Sequence, residues 1–281
     1  MNLRSYLFSI KQYLQNRSTC HQLKKFKNIH KGERCFIIGT GPSLTTEDLE
    51  LLKDEICFGS NRIFEIYPRT SWRPTYYMNQ DFKLLDKFAD EIRALDVKAA
   101  FMPIDVREKY AASPLANFFV LRHKEFYPGD AEFSEKLHHF LGQGFTVTYG
   151  AIQMARYMGF SEVYLLGIDH NYSISLNEKG IPVMNEGTQD YFQGSKASNQ
   201  GLNLPRVVES TVAYMTARKY ADRHPGFAVY NATRGGKLEA FQRVKLEDVL
   251  AKRECRRCSK DLLIWSCPEI SRPLSTSPLP C

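Results

Sequence analysis

The chain has 281 residues, 43% hydrophobic and 25% charged, a composition that fits one large or two small globular domains and excludes a disordered chain. Its net charge of +7 sits at the ends: the first 34 residues carry eight Lys/Arg against Glu33, residues 251–281 carry six against three, and the body from Cys35 to Leu250 is net −3. That distribution excludes a basic main domain, and with it nucleic acid as that domain's partner. No run approaches the roughly 18 apolar residues of a membrane span and the first residues lack the apolar core of a secretion signal, so the expected location is the cytoplasm.

In chain order, Leu3, Tyr6, Leu7, Ile10, Tyr13 and Leu14 fall at helical spacing with Arg4, Lys11 and Arg17 between them, which predicts a basic amphipathic helix over residues 1–30. Packing on its own domain or on a dimer mate is the simpler expectation for it. Attraction to an anionic membrane surface is the other, so residues 1–20 are where a dimer contact, or one peripheral to the inner membrane face, is expected.

From Arg34 the pattern alternates short apolar runs with helical stretches, the signature of a Rossmann-like α/β fold whose mostly parallel sheet carries helices on both faces. Strands are expected at Cys35–Ile38, Ile56–Gly59, Thr75–Met78, Ala99–Met102, Phe118–Leu121, Val163–Leu166 and Phe227–Tyr230, and helices at Thr46–Lys53, Phe82–Leu95, Tyr149–Met158 and Val207–Arg223. Thr45 with Asp48 resembles a capping box, and Gly159 fits a helix-ending glycine. Residues 171–204 are polar and rich in Gly, Asn and Gln, as in a functional loop or lid. Residues 31–250 thus make the expected nucleotide-binding catalytic domain. Residues 251–281 form a Cys-containing, Pro/Ser-rich tail in which Cys255-x-x-Cys258 is followed at long, irregular spacings by Cys267 and Cys281, so free thiols are the first expectation and a zinc site the alternative. The odd total of seven cysteines, with Cys35 and Cys57 inside apolar runs, indicates reduced thiols.

In open α/β sheets ligands bind beyond the carboxyl ends of the strands, so the strand exits carry the functional information. The first is Gly39-Thr40-Gly41-Pro42-Ser43, where glycines would let backbone N–H groups reach a phosphate and the following helix would supply positive dipole. It lacks the Gly-Lys-Ser/Thr of a P-loop and, with Leu44 in place of a third glycine, the full dinucleotide fingerprint. Other exits bring Asn61 and Arg62, then Asp81, then Asp169-His170, then Asn231, Thr233 and Arg234. Thr146 and Thr148 open the helix before Met158, where either could be a ligand contact or an N-cap, and the small Gly150 and Ala151 would admit a ligand or another backbone. Asp169 and His170 are the best acid/base pair, because a carboxylate can orient an imidazole whose pKa lies near working pH. The alternative is a structural Asp beside an exposed His.

The blocks Cys35–Leu44, Ser60–Phe64, Met158–Asp169 and Tyr230–Phe241 resemble, in order and spacing, the bacterial lipooligosaccharide sialyltransferases. They resemble more closely the MptE-like bacterial domain family, named after archaeal 6-hydroxymethylpterin diphosphokinase and related to flagellin-glycosylating proteins. The sialyltransferase resemblance implies a metal-independent, inverting enzyme that binds a cytidylate-activated acidic sugar. By it Gly39, Gly41, Pro42 and Ser43 match the nucleotide loop, and Asn61 and Thr146 match donor contacts. Three departures stand out. The loop asparagine of those enzymes is Thr40, their catalytic histidine aligns with Gly194, and their cytidylate-side Pro-Asn-Ser is replaced by Arg234-Gly235-Gly236.

The expected activity is therefore transfer of an acidic sugar from a nucleotide donor, a CMP-sugar in first place, to a surface-glycan acceptor, with no cofactor required. Arg62 or Arg234 would offset leaving-group charge, and His170, or else Asp169 or Asp190, would act as base. The alternatives are pyrophosphoryl transfer from ATP to a hydroxymethylpterin, with Mg²⁺ on Asp81 and Asp169, and a non-catalytic nucleotide-sugar-binding protein.

Overall fold

The computed structural model describes residues 3–172, 174–176, 182–184, 191–192 and 205–251, so Asp190, Gly194 and the four tail cysteines lie outside the described residues. Two compact units divide the chain, Met1–Arg243 and Val244–Cys281. Everything below concerns the first.

Its helices are α1 (Leu3–Gln15), α2 (Arg17–His21), α3 (Thr46–Leu51), α4 (Phe82–Lys87), α5 (Ala89–Arg93), α6 (Arg107–Tyr110), α7 (Val147–Met158) and α8 (Val207–Arg223). Its strands are β1 (Arg34–Ile38), β2 (Cys57–Ser60), β3 (Tyr76–Met78), β4 (Ala99–Pro103), β5 (Ala116–Phe119), β6 (Leu121–Arg122), β7 (Leu141–Gly142), β8 (Glu162–Leu166), β9 (Ile174–Leu176), β10 (Pro182–Met184), β11 (Ala228–Asn231) and β12 (Gln242–Arg243). Eight of these form one parallel sheet in the order β12-β11-β8-β1-β2-β3-β4-β5, the expected Rossmann-like architecture. The strand runs are continuously apolar because both faces are covered: Cys35, Phe36, Ile37 and Ile38 are all fully buried. The sheet grows in opposite directions from β1, toward β2 on one side and β8 on the other. That is a topological switch point, and it opens a crevice where the β1 and β8 exits diverge.

Both helix boundaries with a predicted cause are present. Thr45 and Asp48 make the reciprocal capping box of α3, and Gly159 ends α7 in the left-handed conformation at φ 92°. The single helix expected over Phe82–Leu95 is instead α4 and α5, broken at Phe88. Phe88 leaves helical geometry at φ −116°, ψ 37°, and its ring lies under the Arg62 guanidinium at 4.7 Å. Helix α1 packs on its own domain: Ser9 is buried, Gln12 donates to Asp105 at 2.6 Å and Tyr13 pairs with His21 at 2.9 Å. Cys20, Cys35 and Cys57 are free, buried thiols. No described helix is long and apolar enough to cross a membrane.

Candidate functional site

A cavity of about 590 Å³ occupies the crevice at the carboxyl ends of β1, β2, β3 and β8. Gly39, Thr40, Gly41, Asn61, Asp81, Thr146, Thr148, Asp169 and His170 line it, so the structure brings together most of the residues expected from the strand exits. Their roles differ from expectation in physically specific ways.

The glycine turn after β1 serves the β8 exit. Gly39 N–H donates to Leu166 O at 2.8 Å and Gly41 N–H to Gly167 O at 3.0 Å. A Cβ on Gly39 would fall on the Gly167 carbonyl, and one on Gly41 would fall on the Asp169 carboxylate, 2.8 Å from Asp169 Cγ and from Gly167 O. The Asp169 carboxylate in turn accepts from Ser43 Oγ at 2.8 Å and from Ser43 N–H at 3.4 Å. The anion sitting in the turn is thus the protein's own, and the turn's N–H groups at Gly39, Gly41 and Ser43 are spent within the chain. The capping box likewise spends the N-terminus of α3. In this arrangement Gly39, Thr40 and Gly41 form cavity wall, and a phosphate received here would have to compete with the Asp169 carboxylate for the turn. Pro42 and Ser43 stand behind that wall.

Asp169 and His170 are not a hydrogen-bonded pair, because the carboxylate is committed to Ser43. The imidazole Nε2 lies 2.7 Å from Thr211 Oγ1 on α8. Thr211 gives its single hydroxyl proton to Val207 O at 2.8 Å, so it must accept from His170, which fixes the Nε2–H tautomer. Nδ1 is then a lone-pair acceptor, buried and without a partner among the described residues. Burial pushes the His170 pKa below the ordinary 6.5, favouring the neutral form. The residue sits at φ 50°, a strained conformation for a non-glycine, and is held there by Lys237 N–H donating to the preceding carbonyl, Asp169 O, at 2.7 Å. The Asp169 carboxyl is pushed up by burial, against the hydrogen bonds from Ser43.

Helix α7 presents its N-terminus to the cavity through Thr146, Val147 and Thr148. Thr146 occupies the N-cap with extended geometry but makes no capping bond; its hydroxyl shares a hydrogen bond with Tyr214 OH at 3.1 Å. The N-cap side chain therefore accepts from none of the first N–H groups of this twelve-residue helix, in a place where the helix dipole favours an anion. Gly150 is small for another reason than expected: a Cβ there would meet Met78 Cε at 2.8 Å and Leu141 Cδ2 at 3.1 Å, so it seats α7 on the sheet.

Arg62, Asn231, Thr233 and Arg234 are not on the cavity lining. Arg62 is buried, pairs with Glu65 and is sandwiched by Phe88 and Tyr191. Arg234 is spent on the buried Asp48 carboxylate, with Nη1 donating to Oδ2 at 2.7 Å. Asn231 donates to Leu238 O at 2.8 Å and accepts from Thr233 N–H at 3.0 Å, while Thr233 accepts from Ile168 N–H at 3.1 Å. These two brace the β8 exit. Neither arginine is on the cavity lining in this arrangement. Asp81 lines the cavity, but its carboxylate caps α4 by accepting from Lys83 and Leu84 N–H.

Sequence reasoning missed His123, Gln143, Arg206 and Tyr214 on the lining. Arg206 is held by Glu125 at 2.8 Å through both terminal nitrogens and lies over the Phe145 ring at 3.8 Å. It reaches the cavity from the foot of α8, which no strand-exit rule would examine. Gln80, in the exit Asn79-Gln80-Asp81 that the strand-exit rule does reach, lines the cavity beside Asp81.

One protein family, described as 6-hydroxymethylpterin diphosphokinase MptE-like, matches residues 6–175. No curated protein matches the chain. Two solved structures are similar. The MAf glycosyltransferase from Magnetospirillum magneticum AMB-1 has a TM-score of 0.48 and 13% identity over 87% of this chain and 42% of that one. The sialyltransferase CstII from Campylobacter jejuni, solved with a substrate analogue, cytidine-5′-monophosphate, has a TM-score of 0.47 and 14% identity over 76% of this chain and 85% of that one. The chain therefore spans less than half the length of the first of these.

Proposed function

Since the chain belongs to the MptE-like family, whose fold leaves the chemistry to be argued from the site, we propose that its cavity transfers a sugar from a nucleotide-activated donor to a glycan acceptor. The observation that carries this reading is the meeting, on one cavity lining, of an N-terminus of α7 whose N-cap makes no side-chain cap and His170, whose buried Nδ1 has no hydrogen-bond partner among the described residues. The first suits the phosphate of a leaving nucleotide, held by main-chain N–H groups and the Thr148 hydroxyl. The second suits a base that takes the proton of an attacking hydroxyl. A cytidylate donor carrying an acidic sugar, and a surface glycan as acceptor, are the substrates that the sequence resemblance favours.

Pyrophosphoryl transfer to a pterin asks for carboxylates free to hold Mg²⁺. Asp81 and Asp169 both line the cavity, yet each caps a turn, and among the described residues no group of three or more His, Cys, Asp or Glu side chains is gathered to hold a metal ion. In this arrangement both carboxylates would have to leave their hydrogen-bond partners to take a magnesium ion.

A melting-temperature series with cytidine, uridine, guanosine and adenosine nucleotides, each with and without Mg²⁺, tests the proposal. A ligand at about 100 times its Kd should stabilise the protein by about 2.7 kcal/mol. We expect such a shift with a cytidine nucleotide in the absence of metal. A shift confined to adenosine nucleotides with Mg²⁺ would instead support the pyrophosphokinase.

A further inference from the structure

Helix α1 packs through one face and leaves another bare. Ser9 is buried and Ile10 and Tyr13 are half-buried, whereas Leu7, Phe8 and Leu14 are 53%, 52% and 62% exposed. Leu7 and Leu14 stand two helical turns apart with the exposed Lys11 between them, so they share one outward stripe. The chain around it is cationic, although the exposed Asp105 also meets α1 through Gln12. Arg17, Lys24, Lys25 and Lys27 are all exposed, and the sequence has no Asp or Glu before Glu33.

We infer that the outward face of α1 docks on an anionic lipid surface, with Leu7, Phe8 and Leu14 entering the headgroup boundary and Lys11, Arg17 and the Lys24–Lys27 cluster meeting the lipid phosphates. Charge selects this occupant over a second copy of the chain. A twofold dimer through this face would set the same cations against one another, whereas an anionic bilayer complements them, each nearby cation strengthening attachment about fivefold. The inference is independent of the reaction. The docking face is also tied to the site: the Arg122 guanidinium lies over the Tyr6 ring at 4.9 Å, and its neighbours Leu121 and His123 line the cavity.

The test is co-sedimentation of the full chain with vesicles of phosphatidylcholine alone or mixed with phosphatidylglycerol, at low and high salt. Two double variants accompany it, Leu7→Gln with Leu14→Gln and Lys11→Gln with Arg17→Gln. The basic tail is intact in both, so any loss reports the helix, and because all four side chains are exposed their melting temperatures should match wild type. We expect binding to the phosphatidylglycerol vesicles only, relieved by salt, and weakened about tenfold or more in each double variant. Failure of the wild type to bind, equal binding to neutral vesicles, or unchanged binding in both variants would overturn the inference. So would light scattering that shows a dimer dissociated by the Leu7/Leu14 changes, which would give the face to a second copy.

Discussion

Replacing His170 by Asn is expected to cut turnover by about 10²–10⁴-fold while leaving nucleotide affinity near wild type, because a positioned general base contributes on that scale and the donor phosphate is held elsewhere. The tautomer argument sharpens this. Thr211→Val removes the acceptor that fixes Nε2–H, so the imidazole can present Nδ1–H instead, and turnover should fall less than in His170→Asn. The pH profile has a determined sign. The base works when neutral, and burial lowers its pKa, so the rate should rise with pH along an acid limb centred below 6.5 and be level through neutrality. Near-wild-type turnover in His170→Asn, measured with an accepted donor, would remove the base from this residue. Nucleotide binding without turnover in the wild type would favour the non-catalytic reading.

The second large effect is expected at Gly41. A methyl group there must displace the Asp169 carboxylate from Ser43 and crowd the Gly167 carbonyl, so Gly41→Ala should cost about 1–3 kcal/mol and lower the melting temperature by several degrees. Gly41→Val should cost more. Because Asp169 immediately precedes His170, turnover should fall together with stability. In an Asp169→Ala background the same Gly41→Ala change meets no carboxylate, and its cost should shrink by more than about 0.5 kcal/mol, the mark of residues in contact. Additive melting shifts in this cycle, read by denaturant titration, would show that the turn does not depend on the carboxylate.

This interlock explains why the sheet was readable in the sequence and the site only in outline. Strands buried on both faces leave continuous apolar runs, so β1, β2, β4, β8 and β11 are visible to within a residue or two, and the switch-point rule then places the crevice. The glycine turn and the Gly-Ile-Asp exit were legible as two separate motifs. That they are one contact, with Gly39 and Gly41 shaped to Gly167–Asp169, depends on β1 and β8 being neighbours, and they are more than 120 residues apart in sequence. Short pairings such as β6 with β7 carry no periodicity to detect. The fates of Arg62 and Arg234 were hidden for the same reason: Phe88 and Asp48 meet them only in the folded chain. Thr146 was visible as a cap position, but its diversion to Tyr214, which leaves α7 uncapped, could not be read from either local sequence.

Calorimetric titration of cytidine-5′-monophosphate, set beside cytidine, decides whether the N-terminus of α7 receives a donor phosphate. Hydrogen bonds from main-chain N–H groups to a charged phosphate contribute about 1.5–3 kcal/mol each, and every 1.4 kcal/mol is about tenfold in affinity. The account predicts that the monophosphate binds at least about tenfold more tightly than the nucleoside without added metal, and that Thr148→Val removes part of that difference. Equal affinity for nucleoside and nucleotide, or a phosphate contribution untouched by changes at Thr148, would contradict it.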